Sequence, residues 1–296
     1  MTILVTGAGG TVGGYFAAHQ NVFHEPLELV DLFPRPGIGA LDIADLDAVR
    51  AKLVRGAYSH VVNLAAMTDV DGCEKSPELA YRANALGAWN VALAAREVGT
   101  VVVQVSTTSV LGGQGEGPFS ELDEPHPVNV YARTKLEGER LVQRLCPESY
   151  VLRTAWIMGG GKNDKKFVGK VYEKLLAGHT IRAVNDEWGA PTYSKDFTLV
   201  CAKLLRTGAY GLYHVANLGR ATRYDMAISM RRTLGSSSHV EPVSAEAFNL
   251  PAKRPRYDVP TSHALPARGI TLRTWQEALE EYVITEIGDG ARREQP

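Results

Sequence analysis

Apolar positions in this chain gather into short continuous runs, separated by longer stretches in which they recur every three or four residues. The runs are Ile3-Leu4-Val5-Thr6, Leu27-Glu28-Leu29-Val30, Ala40-Leu41-Asp42-Ile43, His60-Val61-Val62-Asn63-Leu64 and Val101-Val102-Val103-Gln104-Val105. Such runs read as buried parallel strands, because strands covered on both faces lose the in-out alternation of half-solvated ones. Between them the spacing predicts helices from Tyr15 to His19, from Asp45 onward with acids in the first turn, from Pro77 to Val98, and over NVYARTKLEGERLVQRL. Acids favour a helix start because the macrodipole is positive there. Beyond Thr154, helices over Phe167–Ala177 and Ser194–Leu205, a strand over Leu212–Ala216 and an amphipathic helix over Leu272–Ile287 are predicted, with a polar tail from Gly288 to Pro296. Alternating strands and helices with no internal repeat predict an α/β fold, a Rossmann-type doubly wound parallel sheet with a smaller C-terminal α/β lobe.

The first strand runs directly into Gly7-Ala8-Gly9-Gly10-Thr11-Val12-Gly13-Gly14. Glycines at 7, 10 and 13 allow a tight strand-to-helix turn, close approach of backbone N–H groups to a pyrophosphate, and close packing of helix on sheet. Asp31 closes the second strand about 20 residues later, where an adenosine ribose is expected. Its carboxylate favours a 2′-hydroxyl and hence NADH, whereas Arg35 suits a 2′-phosphate and hence NADPH, so both cofactors stay open. Asp42 and Ile43 would flank the adenine. The strand end Leu64-Ala65-Ala66 is small enough for backbone to approach the ribose and phosphates. These features predict a dinucleotide-binding domain over residues 1–155, rejoined by 193–216, with 156–192 and 217–296 forming a substrate-binding lobe.

The stretch from Val102 to Lys135 carries the candidate chemistry. Ser106-Thr107-Thr108-Ser109 lies at the C-terminal end of a predicted strand, the edge at which doubly wound sheets bind ligands. Tyr131 and Lys135 are four apart in a helix and share a face, so a phenol and an ammonium can meet one ligand. A free tyrosine has a pKa of about 10 and is a poor acid at neutral pH. The sequence therefore predicts that Lys135 lowers the pKa of Tyr131 into the range of a general acid, with Thr107 or Thr108 holding the substrate oxygen. Asn84, inside a predicted helix, reads either as part of a solvated face or as a backbone or water contact near the site.

Composition narrows the partners. The chain has 296 residues, 45% hydrophobic and 22% charged, with a net charge of −1. That excludes the basic footprint of nucleic-acid or anionic-membrane binding and suits a small anionic ligand. Cys73, Cys146 and Cys201 show no metal or disulfide spacing, and no metal site is expected. No apolar run approaches the ~20 residues of a membrane span. The first strand begins almost at Met1, leaving no leader, so a cytoplasmic location is expected.

Taken together, Gly7/Gly10/Gly13, Asn63-Leu64-Ala65-Ala66, Ser106-Thr107 and Tyr131-Ala132-Arg133-Thr134-Lys135 resemble an extended short-chain dehydrogenase/reductase. More narrowly, VVNLAAMTDVDGCEKSPELAYRAN, VNVYARTKLEGE, LRTAWIMGGG, VNDEWGAPT and GLYHVAN resemble the dTDP-4-dehydrorhamnose reductases. The resemblance implies NAD(P)H-dependent reduction of the C4 ketone of a nucleotide-linked 4-keto-6-deoxyhexose, with Tyr131 as proton donor, Thr107 as catalytic hydroxyl and Lys135 holding the nicotinamide ribose. It implies substrate contacts at Val70, Thr107, Thr108 and Trp156, and at Arg254, whose planar donor fork suits a diphosphate. The basic loop Gly159–Lys166 reads as a solvated loop, or as one that neutralises a diphosphate or closes over the site. A homodimer fits the family.

Two departures stand out. Where these reductases usually read Ser-Thr-Asp-Tyr-Val-Phe, this chain has Ser106-Thr107-Thr108-Ser109-Val110-Leu111, which removes an acid and two aromatics from the pocket wall. After Arg254-Pro255, Tyr257-Asp258 replaces a usual small polar residue. The rival readings are a sugar-nucleotide 4-epimerase, or a regulatory subunit resembling the β subunit of methionine adenosyltransferase.

Overall fold

The computed structural model describes residues 1–113 and 115–288; most of the predicted polar tail, 289–296, lies outside the described residues. Six of its strands are β1 (Thr2–Thr6), β2 (Leu27–Asp31), β3 (Gly39–Ala40), β4 (Tyr58–Asn63), β5 (Val101–Thr107) and β6 (Ser149–Thr154). With Gly211–His214 they form one parallel sheet in the order β3, β2, β1, β4, β5, β6, Gly211–His214. The strand order reverses between β1 and β4, which opens the ligand crevice of a doubly wound sheet above those strand ends.

The helices are α1 (Thr11–Ala18), α2 (Leu46–Arg55), α3 (Val70–Lys75), α4 (Pro77–Tyr81), α5 (Gly87–Val98), α6 (Val130–Leu145), α7 (Phe167–Leu176), α8 (Ser194–Leu205), α9 (Arg223–Thr233) and α10 (Trp275–Glu281). Phe16 of α1 and Phe197, Val200 and Leu204 of α8 are buried with Val5, Val62 and Tyr213 of the sheet. Val49 and Leu53 of α2, Val91 and Ala95 of α5 and Val142 of α6 are buried with Leu4, Val61 and Val102, whose side chains project from the opposite face. The continuous apolar runs are thus covered on both sides, as their composition requires.

A further core gathers Met158, Val171, Leu175, Ile181, Tyr193, Met226, Met230, Leu279 and Tyr282. Three short parallel pairs support it: Ile157–Met158 with Thr192–Tyr193, Ile181–Val184 with Val240–Val243, and Trp188–Gly189 with Tyr257–Asp258. The three cysteines are free and buried. Among the described residues, no helix is long and apolar enough to cross a membrane, and no cluster of acids, histidines and cysteines could hold a metal.

Several predicted elements differ: α1 begins at Thr11 rather than Tyr15, and the terminal helix starts at Trp275 and turns π-helical over Tyr282–Ile287. The run Ala40–Ile43 pairs only through Gly39–Ala40, after which Asp42 Oδ1 accepts from the Ala44 N–H at 2.8 Å and turns the chain. The long helix from Pro77 to Val98 is interrupted by a π-helical segment, Arg82–Leu86. Asn84 sits in that segment, 1% exposed, with its amide bonded to Met67 N (2.8 Å), Met67 O (3.1 Å) and Thr134 Oγ1 (3.0 Å). Its solvated-face reading is thereby excluded.

Candidate active site

One cleft of about 1080 Å³ opens above the sheet and meets most of the residues singled out in the sequence. Its floor at one end is the glycine turn. Gly7 has φ +67°, and a Cβ there would stand 2.5 Å from Ala65 N; a Cβ on Gly13 would stand 2.4 Å from Ala8 Cα. Only glycine fits either position. Gly10 caps α1 without a side-chain bond, so the first N–H groups of α1, Thr11 to Gly13, face the cleft with no partner inside the helix. Asp31 Oδ2 accepts from Gly9 N at 2.9 Å and Oδ1 from Phe33 N at 3.0 Å, which fixes its carboxylate at the mouth of this turn. Asp42, Ile43, Leu64, Ala65 and Ala66 line the same end. This cradle fits a dinucleotide: its backbone donors suit a diphosphate, and its small residues leave room for it.

Asn129 caps α6 and accepts from Ala132 N at 2.8 Å, while Glu74 takes the Val130 N–H at 3.0 Å. The start of α6 is thereby held beside β5, with Tyr131 and Lys135 both facing the cleft. Thr107 Oγ1 accepts from Ser109 N at 3.2 Å, and its hydroxyl stands against the Tyr131 phenol.

The expected lowering of the Tyr131 pKa is not what this environment produces. Burial pushes the phenol up to about 12; the Thr107 hydroxyl opposes the rise, while the Asp258 carboxyl and Cys73 add to it. Lys135 gives no offset because burial takes its own ammonium down to about 8 and its Nζ is turned to the Val105 carbonyl at 2.6 Å. A cation held against a backbone carbonyl, in a site that disfavours its charge, is a weak tuner of its neighbour.

The substrate candidates divide. Val70 and Trp156 line the cleft, and Trp156 is held in the left-handed region at φ 30°, a strained backbone for a bulky residue. Arg254 lines it too, but its guanidinium is forked onto Asp71 at 3.0 and 2.8 Å, so it braces α3 as well as facing the cleft. Thr108 does not line the cleft. It is 1% exposed and gives its hydroxyl proton to Asp258, whereas Ser109 reaches the cleft and donates to Asp258 Oδ2 at 2.7 Å. The acid lost from the strand end is therefore replaced: Asp258 brings a carboxylate to the same wall from a segment 150 residues away.

Arg223, and Glu187 of the segment VNDEWGAPT, also line the cleft, though neither is singled out by the sequence. Arg223 stacks on Trp156, its Cζ 3.8 Å from the ring centroid, and on Phe167 at 5.0 Å, and burial takes its guanidinium down to about 10. Burial, with Asp186 adding, pushes the Glu187 carboxyl above its usual range. Thr222-Arg223-Tyr224-Asp225 is legible as a capping box, which places Arg223 in the first turn of α9 but carries no hint of the cleft. Of the basic loop, Lys166 lines the cleft, and burial lowers its pKa.

Comparison with known proteins matches residues 1–287 to the family model described as the RmlD substrate binding domain. A dTDP-4-dehydrorhamnose reductase of Mycolicibacterium smegmatis is 36% identical over 97% of this chain and 86% of its own. A crystal structure of a dTDP-4-dehydrorhamnose reductase from Clostridium acetobutylicum superposes with a TM-score of 0.89 at 35% identity, covering 96% of this chain and 99% of that one. That of a Bacillus anthracis dTDP-4-dehydrorhamnose reductase in complex with NADP gives 0.85 at 30%, covering 96% and 98%.

Proposed function

This chain belongs to the dTDP-4-dehydrorhamnose reductase family, and on that premise we infer that it reduces the C4 ketone of a dTDP-linked 4-keto-6-deoxyhexose, with dTDP-4-dehydro-L-rhamnose as substrate and dTDP-L-rhamnose as product. The observation that carries this reading is the convergence of Thr107, Tyr131 and Lys135 on one cleft that also contains the glycine cradle. When bound in that cradle, a reduced nicotinamide dinucleotide supplies the hydride.

The chain's own residues do the rest. The N–H groups of Thr11, Val12 and Gly13 hold the diphosphate, and Asp31 faces the adenosine ribose. Tyr131 gives its proton to the substrate oxygen at C4, and Thr107 donates a hydrogen bond to the same oxygen. A phenol pushed up to about 12 stays protonated across the physiological range, so the donor is charged with its proton before substrate arrives. Lys135 lies one turn along α6, where its ammonium, held by the Val105 carbonyl, faces the nicotinamide ribose. Trp156 packs against the sugar, and Arg254 and Lys166 face its diphosphate from the lobe built on residues 156–192 and 217–288. Relatives named as reductases over nearly the whole chain support this reading over an epimerase or a regulatory subunit.

Oxidation of NADPH and of NADH, followed by absorbance with enzymatically generated dTDP-4-keto-L-rhamnose, tests it. Turnover is expected, and Tyr131→Phe should lose about 10²- to 10⁴-fold in kcat while still binding NADPH. A Tyr131→Phe enzyme that keeps its rate removes the assignment.

A further inference from the structure

Asp258 is 3% exposed, and both of its oxygens are occupied by hydroxyls from the turn after β5: Oδ1 by Thr108 Oγ1 and Oδ2 by Ser109 Oγ at 2.7 Å. A carboxylate only accepts, and a serine or threonine hydroxyl has a single proton to give. In the ionised form of Asp258, both protons are therefore spent on it. Ser109, which reaches the cleft, is left with lone pairs and no donor to offer a ligand. Thr107 is wired in the opposite sense. Its oxygen accepts from Ser109 N at 3.2 Å, so its proton is free to point at the Tyr131 side of the cleft. Two residues apart on one turn, Thr107 presents a donor and Ser109 an acceptor.

The carboxylate is fixed in place from the lobe. Tyr257–Asp258 pairs in parallel with Trp188–Gly189, and Gly189 has no side chain because the Trp156 indole would lie 2.2 Å from a Cβ there. Arg223, stacked on Trp156, places its positive charge where it favours the ionised form of Asp258, against the burial that pushes this carboxyl above its usual range. The other charged or ionisable groups facing this region are Glu187, Arg254, Lys135, Tyr131 and Cys73.

We propose that Asp258, by claiming the hydroxyl protons of Thr108 and Ser109, makes Ser109 an obligate acceptor and so creates a subsite for a hydroxyl on the carbon beside the reacting ketone. The proposal rests on the reductase reading and deepens it. In a 4-keto-6-deoxyhexose the only hydroxyl on a carbon adjoining C4 is that at C3. A ketone oxygen, which can only accept, is turned away from Ser109 and toward the donors Thr107 and Tyr131. The wall thus orients the ring by matching donor to acceptor at two neighbouring carbons. Asp258 acts through Ser109 and is a positioning residue.

The test compares a dTDP-4-keto-6-deoxyhexose with its 3-deoxy counterpart. Wild-type enzyme should prefer the 3-hydroxy sugar by about 10- to 100-fold in kcat/KM, the range of a hydrogen bond to a buried partner. Ser109→Ala and Asp258→Ser should each narrow that preference to within a few-fold, chiefly through the KM of the 3-hydroxy sugar. Thr108→Asp combined with Asp258→Ser returns the carboxylate from the strand-end side and should widen the preference again. A preference that survives either single substitution, or equal losses toward both sugars, overturns the proposal. Wild-type enzyme inert toward both sugars would count against the reductase reading instead. The proton commitment is then judged without substrate, by a double-mutant cycle of stability. Thr108→Asp and Asp258→Ser should each destabilise and their combination recover, whereas simple additivity overturns it.

Discussion

Lys135 answers two opposed demands. In the proposed function its ammonium faces the cofactor end of the cleft, yet the residue is only 4% exposed, its ammonium donates to the Val105 carbonyl, and burial takes its pKa from 10.5 to about 8. A lysine whose folded pKa lies below its unfolded value binds fewer protons folded than unfolded, so it penalises the folded state most below pH 8, and the penalty fades as the pH rises to about 10.5. Lys135→Met should therefore be more stable than the wild type at pH 7, by a few kcal/mol at most, with the gap closing between about pH 8 and 10.5, while turnover collapses. Urea unfolding at several pH values checks this, and a methionine variant less stable at pH 7 would contradict it. The cofactor preference is likewise a matter of single residues. A Cβ on Gly9 would meet both the Arg35 guanidinium, at 2.6 Å, and the Asp31 carboxylate, at 3.0 Å, so one anion and one cation flank the adenosine end. Asp31→Ser should raise the ratio of kcat/KM for NADPH over NADH by about tenfold or more, and Arg35→Ala should lower it. Ratios unchanged in both variants would remove these residues from cofactor choice.

At the scale of elements, α6 is tied to the sheet by more than its apolar face. Glu139 on α6 and Arg153 on β6 form a forked ion pair at 2.7–3.1 Å, with side chains 2% and 4% exposed. Buried pairs contribute little net stability when intact, but removing one partner strands the other charge at a cost of about 3–5 kcal/mol. Arg153→Met should lose stability on that scale, and Arg153→Met with Glu139→Leu should regain most of it; a single variant as stable as wild type would show that the pair is not buried in solution. This pair also marks what the sequence left hidden. The strands, α6 and the glycine turn were legible because each is a local pattern: a run of apolar residues, a period of 3.6, a glycine spacing. Thr107, Tyr131 and Lys135 were legible because their spacing lies within one turn or one helix. Asp258, Glu187 and Arg223 were not, since they reach the cleft through strand pairs of two residues each and through the first turn of a capped helix, where no periodicity exists to read. The π-helical segment at Arg82–Leu86 was missed for a related reason: the one extra residue that swings Asn84 inward leaves the surrounding helical pattern unchanged.

Over the whole molecule, the segment after α10 is fastened to α1 and to the start of α8. Tyr282–Ile287 forms a π-helical turn, and its Glu286 carboxylate accepts from the phenols of both Tyr15 on α1 and Tyr193 before α8. Tyr15 is 6% exposed and Tyr193 fully buried, and Tyr15 Oη also takes the Gly160 N–H at 3.3 Å. Glu286→Ala leaves two phenols buried without their acceptor, which should cost about 2–6 kcal/mol at about 1–3 kcal/mol for each orphaned group. Because α1 begins at the glycine cradle, NADPH binding should weaken in the same variant. The triple variant Glu286→Leu, Tyr15→Phe, Tyr193→Phe removes donors and acceptor together and should be markedly more stable than Glu286→Ala, since apolar replacement of both partners is close to neutral. The pH dependence follows with a definite sign. Burial and Glu286 raise the pKa of Tyr15 and Tyr193, and burial and Asp164 that of Tyr282, all above the free value of 10.0. The unfolded phenols then ionise first, so the stabilisation is complete below pH 10 and is lost as the pH climbs beyond it. Denaturation midpoints of wild type and triple variant, measured from pH 7 to 11, decide the matter: the wild-type midpoint should fall steeply past pH 10 and that of the triple variant less so, while parallel curves would mean that the phenols do not fasten this segment.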